Sequence, residues 1–150
     1  MKRYILDSNF LGILEDSDSP EYKEIFRKLS SLPDEDEVCV SIISIYEYYF
    51  GIFNAPDENL SQQLLKTKDT ILEIFTILPL TLKSAELYGK IKTLYKKQTG
   101  ATRAGMRKHN VDFILASTAL EQQAVIVSKD NIFSKIQKFE KRLQVEDWAI

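Results

Sequence analysis

Short apolar runs recur along this chain, and each is separated from the next by a longer stretch with helical spacing. The runs are "RYILD", "VCVSII", "TILPL", "AVIVSKD" and "LQVEDW". Strands of three to six residues cannot build a core alone, and helices placed between them bring successive strands in parallel. Parallel strands are covered on both faces, which accounts for runs that are apolar throughout rather than alternating. The expected fold is therefore α/β, a three-layer α/β/α arrangement around a central, mostly parallel sheet of four to five short strands.

The intervening stretches read as helices. Tyr22, Ile25, Phe26 and Leu29 form a stripe in "SPEYKEIFRKLSSL", with Pro20 suited to its first turn. "SIYEYYFGIF" is helical, as is the segment from Glu58 to about Phe75 with Leu60, Leu64, Leu65 and Leu72. In "TLKSAELYGKIKTLYKKQTG" the residues Leu82, Ala85, Tyr88, Ile91 and Leu94 share a face, and Gly100 is the expected stop. "ATRAGMRKH" shows no periodicity and reads as a basic loop. Two further helices are expected over "NVDFILASTALEQQ" and around "NIFSKIQKF". No repeat or linker interrupts the 150 residues, so one domain spanning 1–150 is expected.

Composition narrows the class. The chain is 44% hydrophobic and 28% charged, ordinary values for a globular protein. No apolar run approaches the ~18 residues of a membrane span. The start, "MKRYILDSNF", has too short an apolar stretch for a signal peptide. A single cysteine, Cys39, excludes an internal disulfide and suggests the cytoplasm. It lies in the apolar run "VCVSII" and reads as a small buried hydrophobe. The net charge of −2 is unremarkable, yet its distribution is uneven. Residues 15–37 carry nine acids against three bases, whereas residues 83–108 carry eight bases against Glu86 alone. Such polarity can direct a polyanion to one side of an acidic protein, although helices also display solvated lysines without any ligand.

Four acids stand at the borders of the apolar elements, and each has an ordinary structural explanation. Asp7 follows the first strand and can cap a helix. Glu47 lies three residues after Ser44, the spacing of a capping box. Asp112 falls in the first turn of its helix, where negative charge suits the dipole. Asp130 ends a strand in the turn "SKDN". Together they are harder to explain in this way. In a parallel α/β sheet all four project from the same edge, outside the carboxyl ends of the strands, where ligand crevices form. Converging carboxylates repel and raise one another's pKa values, which a divalent cation relieves. Oxygen-only donors select Mg²⁺ or Mn²⁺, which favour phosphate as a further ligand. A metal-dependent phosphodiesterase follows.

At this point the chain resembles the PIN-domain family, and within it the VapC-type ribonuclease toxins of toxin–antitoxin pairs. The resemblance covers almost the whole chain. It rests on the order and spacing of "YILDSNFL", "SIISIYEYYFG", "RAGMRKHNVDFILASTALEQQAVIVSKDNIF" and "LQVEDW". It implies that Asp7, Glu47, Asp112 and Asp130 match the acidic cluster that binds metal, with Asp130 the most variable member and one that often acts through water. Ser8 and Asn9 complete the first motif, and Ser128 matches the Ser or Thr of the last, where it can equally cap its turn. Arg103 and Gly105 match a basic-x-Gly element before the third acid. Arg107 and Lys108 lie where RNA phosphates could be met.

The mechanism this implies has Asp7, Glu47 and Asp112 holding Mg²⁺ or Mn²⁺, with Asp130 supporting that ion or recruiting a second. The ion would lower the pKa of a bound water and neutralise charge on the phosphoryl group. His109, the only histidine, lies three residues before Asp112. The family pattern has no histidine there, so a loop or substrate-contact role is expected rather than a catalytic one. The implied substrate is a structured RNA such as transfer RNA. The implied partners are a VapB-like antitoxin, received by an apolar groove on the helices from Ser44 to Phe75, and a second copy in a homodimer. Tyr46, Tyr49, Phe50 and Phe53 share a helical face and are expected in the core or a dimer contact. The competing reading is a non-catalytic PIN-like module that binds RNA or protein, with the acids serving as caps. Two other phosphate-handling folds fit less well. A receiver domain needs paired acids before the aspartate and a lysine after the last strand. A haloacid-dehalogenase-like phosphatase needs an aspartate where Asn9 stands.

Overall fold

The computed structural model describes residues 1–148, and the last two positions of the expected domain, Ala149 and Ile150, lie outside them. Along the chain run β1 (Arg3–Leu6), α1 (Ser8–Ile13), α2 (Pro20–Ser31), β2 (Glu37–Ser41), α3 (Ile42–Phe53), α4 (Glu58–Ile74) and β3 (Thr76–Leu78). Then follow α5 (Leu82–Thr99), α6 (Arg103–Arg107), α7 (Asn110–Gln122), β4 (Val125–Val127), α8 (Asn131–Phe139) and β5 (Gln144–Glu146). Among the described residues the strands form one sheet of order β3-β2-β1-β4-β5, parallel throughout.

The period of two along each strand sends alternate side chains to opposite layers. Ile5, Cys39 and Ile126 join a core built with Ile91 and Tyr95 of α5, Phe113 and Leu115 of α7, and Phe133 and Ile136 of α8. Tyr4, Leu6, Val40, Val125 and Val127 face the other way, onto Phe10 and Leu11 of α1, Ile25 of α2 and Ile71 of α4. These are the three layers expected from the sequence. Cys39 is fully buried, and burial pushes its thiol up to about 12, so it behaves as a protonated apolar residue.

The strand order sets the place of the site. From β1 the chain moves outward to β2 and β3, then crosses back to β4 and β5 on the other side of β1. The helix leaving β1 covers one face of the sheet and the helix leaving β4 covers the other. Their departure in opposite directions opens a crevice at the carboxyl ends of β1 and β4, the topological switch point of an open α/β sheet.

Three expectations about elements change. "ATRAGMRKH" is not a plain loop, because it contains α6. Thr102 Oγ1 accepts from the Gly105 amide at 3.0 Å, and Met106 is buried in the core. A five-residue helix with one apolar anchor leaves no periodicity to read. The buried face of α5 runs through Ser84, Leu87, Ile91 and Tyr95, while Leu82 is 92% exposed and Ala85 is also outside. Ser84 is tolerated inside because it completes a capping box with Thr81. The aromatic face of α3 is not core either: Tyr46, Phe50 and Phe53 are 68%, 70% and 82% exposed.

Candidate active site

Asp7 leaves the end of β1 with its amide still donating to the Val127 carbonyl of β4 at 3.0 Å. It occupies the N-cap position of α1, in extended backbone, yet its side chain caps nothing. Its Oδ2 accepts instead from Ser128 Oγ at 2.7 Å. The same Ser128 oxygen accepts from the Asp130 amide at 2.9 Å, so one hydroxyl closes the turn after β4 and orients Asp7 as well. Ser128 thus caps its turn, as expected, and also holds Asp7. Asp130 stands at the N-cap position of α8, again without a capping bond, and its Oδ2 accepts from Asn9 Nδ2 at 3.1 Å.

Asp112 arrives from the opposite direction. In a parallel α/β sheet a helix runs back against the strands, so the start of α7 lies at the edge where β1 and β4 end. Asp112, in that first turn, has Oδ2 at 3.0 Å from His109 Nδ1. The result is that one carboxylate oxygen from each of Asp7, Asp112 and Asp130 lies within 4.8 Å of the other two. The capping explanation fails on geometry for Asp7 and Asp130, whereas Asp112 does hold its expected place in the first turn of α7. None bonds a helix amide among the described residues, and their oxygens are left to one another and to three side-chain donors.

The electrostatics follow from that crowding. Asp7 is 3% exposed. Burial pushes its carboxyl up to about 6, the Ser128 hydrogen bond pulls it back, and the charges of Asp130 and Asp112 push it up again. Asp112 is also raised, by burial first, against the lowering effect of the His109 bond. A buried carboxylate crowded by two partly exposed ones is the donor set that a hard divalent cation satisfies, so the residues fit Mg²⁺ or Mn²⁺.

Glu47 does not belong to that three-acid cluster. It is exposed on α3 and joins through serines: its Oε1 accepts from Ser8 Oγ at 2.9 Å, and Ser8 Oγ lies 2.9 Å from Ser44 Oγ. Since Ser8 has one proton and gives it to Glu47, Ser44 donates to Ser8. The capping-box reading of Ser44 and Glu47 is therefore overturned. α3 starts earlier, with Ser41 as N-cap accepting from the Ile43 amide at 3.2 Å, and Ser44 is buried inside the helix. Ile42 and Ile43, expected to extend the strand, form the first turn of α3.

Arg103, Arg107 and Lys108 lie on α6 and at its C-cap, exposed, directly before His109. Among the described residues none of them has a carboxylate within ion-pair distance, so their charges are open to an external anion. His109 sits in the short turn between α6 and α7, within the stretch expected as a loop. It occupies the N-cap position of α7, and its link to Asp112 was legible as an i, i+3 spacing at a helix start. Ser44 gave no comparable signal, because its role depends on α1 packing against α3.

The PIN domain family model matches residues 4–139. No curated protein matches the chain in sequence. Solved structures with the same fold include VapBC2 from Rickettsia felis bound to a DNA fragment from their promoter. That chain has a TM-score of 0.79 and 21% identity, with 98% of this chain and 99% of that one covered. VapBC-1 from nontypeable Haemophilus influenzae gives 0.75 and 25%, covering 97% and 98%. VapBC-5 from Mycobacterium tuberculosis, a member of the VapBC family of toxin-antitoxin systems, gives 0.66 and 16%, covering both chains fully at 100%. With a family match over most of its length, and a parallel sheet whose switch point gathers the acids, this chain belongs to the PIN-domain family.

Proposed function

We propose that this PIN domain is a metal-dependent endoribonuclease of the VapC toxin type, cutting phosphodiester bonds in a structured RNA such as transfer RNA. The observation that carries this reading is the convergence of Asp7, Asp112 and Asp130 within 4.8 Å, at the switch crevice and free of capping duties. These three would hold the Mg²⁺ or Mn²⁺ ion, and Glu47 would complete the acidic set from the rim. Such an ion, when bound, supplies an acidified water and neutralises charge on the phosphoryl group. The protein's own part is positional. Ser128 and Asn9 fix Asp7 and Asp130, while Ser44 and Ser8 fix Glu47. Arg103, Arg107 and Lys108 would hold RNA phosphates beside the acids, giving the affinity a strong salt dependence.

A nuclease of this kind needs restraint, and its similarity in fold to VapBC complexes supports a VapB-like antitoxin as partner. A cleft of about 190 Å³ between α1, α3 and α4 opens beside the site, lined by Leu11, Gly12, Tyr48, Gly51 and Leu64 together with Ser8 and Glu47. Its position supports an antitoxin helix lying across α3 and α4. The exposed Tyr46, Phe50 and Phe53 support a further protein contact there, including a homodimer. Among the described residues no helix is long and apolar enough to cross a membrane. A nuclease cutting transfer RNA would act in the cytoplasm, where that substrate is met.

The test is cleavage of a total transfer-RNA pool by purified protein with Mg²⁺, with Mn²⁺ and with EDTA, beside Asp7→Asn. Discrete fragments that need metal and vanish in the variant are expected. A folded protein that cuts nothing, while its thermal stability does not respond to metal, would leave the non-catalytic binding module.

A further inference from the structure

Among the described residues, His109 is the one side chain hydrogen-bonded to Asp112. Its Nδ1 lies 3.0 Å from Asp112 Oδ2, and among the described residues no other hydrogen bond holds this carboxylate. An ionised carboxylate only accepts, so Nδ1 carries the proton. The imidazole is itself held in place. Its ring meets Tyr95 edge-on at 6.1 Å and Phe113 at 6.3 Å, and both of those aromatics are buried. A residue at the N-cap position normally turns its side chain to the helix amides. His109 does not, and spends its donor on the acid one turn ahead.

Each of the three clustered acids therefore has its own donor: Ser128 for Asp7, Asn9 for Asp130 and His109 for Asp112. Ser128 lies in the turn after β4 and Asn9 in the first turn of α1, at the two strand ends that build the crevice. His109 is braced from outside it, by the α5 aromatic Tyr95. Hydrogen-bond donors to a carboxylate that ligates a cation fix its plane and reduce the ordering cost of binding.

We propose that His109 is a positioning residue for the metal site, holding the Asp112 carboxylate toward Asp7 and Asp130 through its Nδ1–H. This rests on the reading of the acids as a cation site. The imidazole acts through its hydrogen bond and its fixed ring, and takes no proton from the substrate.

Two substitutions separate the bond from the ring. His109→Phe keeps the packing against Tyr95 and Phe113 and deletes the donor. His109→Asn keeps an amide nitrogen where Nδ1 stands and deletes the ring. Mn²⁺ affinity is measured by calorimetric titration of the full chain, with thermal unfolding in EDTA confirming that each variant is folded. His109→Phe is expected to bind Mn²⁺ about tenfold more weakly, and His109→Asn to stay within about threefold of wild type. Wild-type affinity in His109→Phe would overturn the proposal. So would an equal loss in both variants, which would make the ring rather than the bond responsible. Wild-type protein that binds no Mn²⁺ at all, matching Asp7→Asn, would overturn the metal reading and this inference with it.

Discussion

At the scale of single residues, Asp7 is where structure and chemistry pull hardest against each other. Its carboxyl is held at about 6 in the folded chain, against about 3.9 when unfolded. Between those values the native state keeps a proton that the unfolded chain has released. Stability from this group is therefore present below pH 4 and lost as pH rises through 6, by at most ~3 kcal/mol. Asp7→Asn removes the titration while keeping an oxygen that can accept from Ser128. In EDTA its melting temperature is expected to exceed wild type by several degrees at pH 8 and by much less at pH 5. A constant gap across that range would show that the Asp7 carboxyl ionises as it would in water. The identities of Asp7, Asp112 and Asp130 were legible in the sequence, because each closes or opens an apolar element. That their oxygens avoid the helix amides was not, because a capping aspartate and a ligand aspartate occupy the same position in the chain. The choice is made by Ser128, 121 positions from Asp7.

At the scale of elements, α5 shows how a helix can be identified correctly and still be rotated wrongly. Its extent was plain from Thr81 and Gly100, which do cap it, the glycine at φ 66° where side chains are disfavoured. Its buried face was not, since Leu82 and Ala85 look more apolar than Ser84. The observed face predicts opposite outcomes for two truncations. Ile91→Ala, which empties a fully buried site between α5 and α7, is expected to cost ~2–5 kcal/mol. Leu82→Ala, at an exposed position, is expected to change stability by less than ~0.5 kcal/mol. Denaturant unfolding of both variants checks this, and similar costs would restore the face expected from the sequence. α6 teaches the complementary point. A single turn anchored by Met106 and capped by Thr102 is too short to announce itself, yet it sets where the basic residues stand before α7.

At the scale of the whole molecule, the strand order places the acids. Asp7 and Asp130 lie 123 positions apart, yet meet because β1 and β4 are neighbours. Repulsion between the buried Asp7 and the two carboxylates beside it is then a cost spread over the fold, and a cation that relieves it should stabilise the whole chain. Mn²⁺ at about 100 times its dissociation constant is expected to add ~2.7 kcal/mol to wild type. Asp7→Asn should gain little. Thermal unfolding with and without metal measures the difference, and equal gains would place the ion elsewhere on the surface.

The sequence by itself determined the layers, the parallel sheet and the edge where chemistry would sit. Apolar runs of three to six residues, separated by helices, leave few other ways to bury their surface. It also identified the acids, because charge at the border of an apolar element is visible without coordinates. Only the tertiary structure decided which acids form the cluster and which stand beside it. Glu47 matched the pattern as well as the others, yet α3 begins at Ile42 and carries it to the rim, where Ser8 holds it. His109 was set apart from the acids because the resembled family has no histidine there, and the structure joins it to them through Asp112. Spacing along a chain fixes which residues share an element. Distances between elements depend on packing, and it is packing that sorts ligand from neighbour.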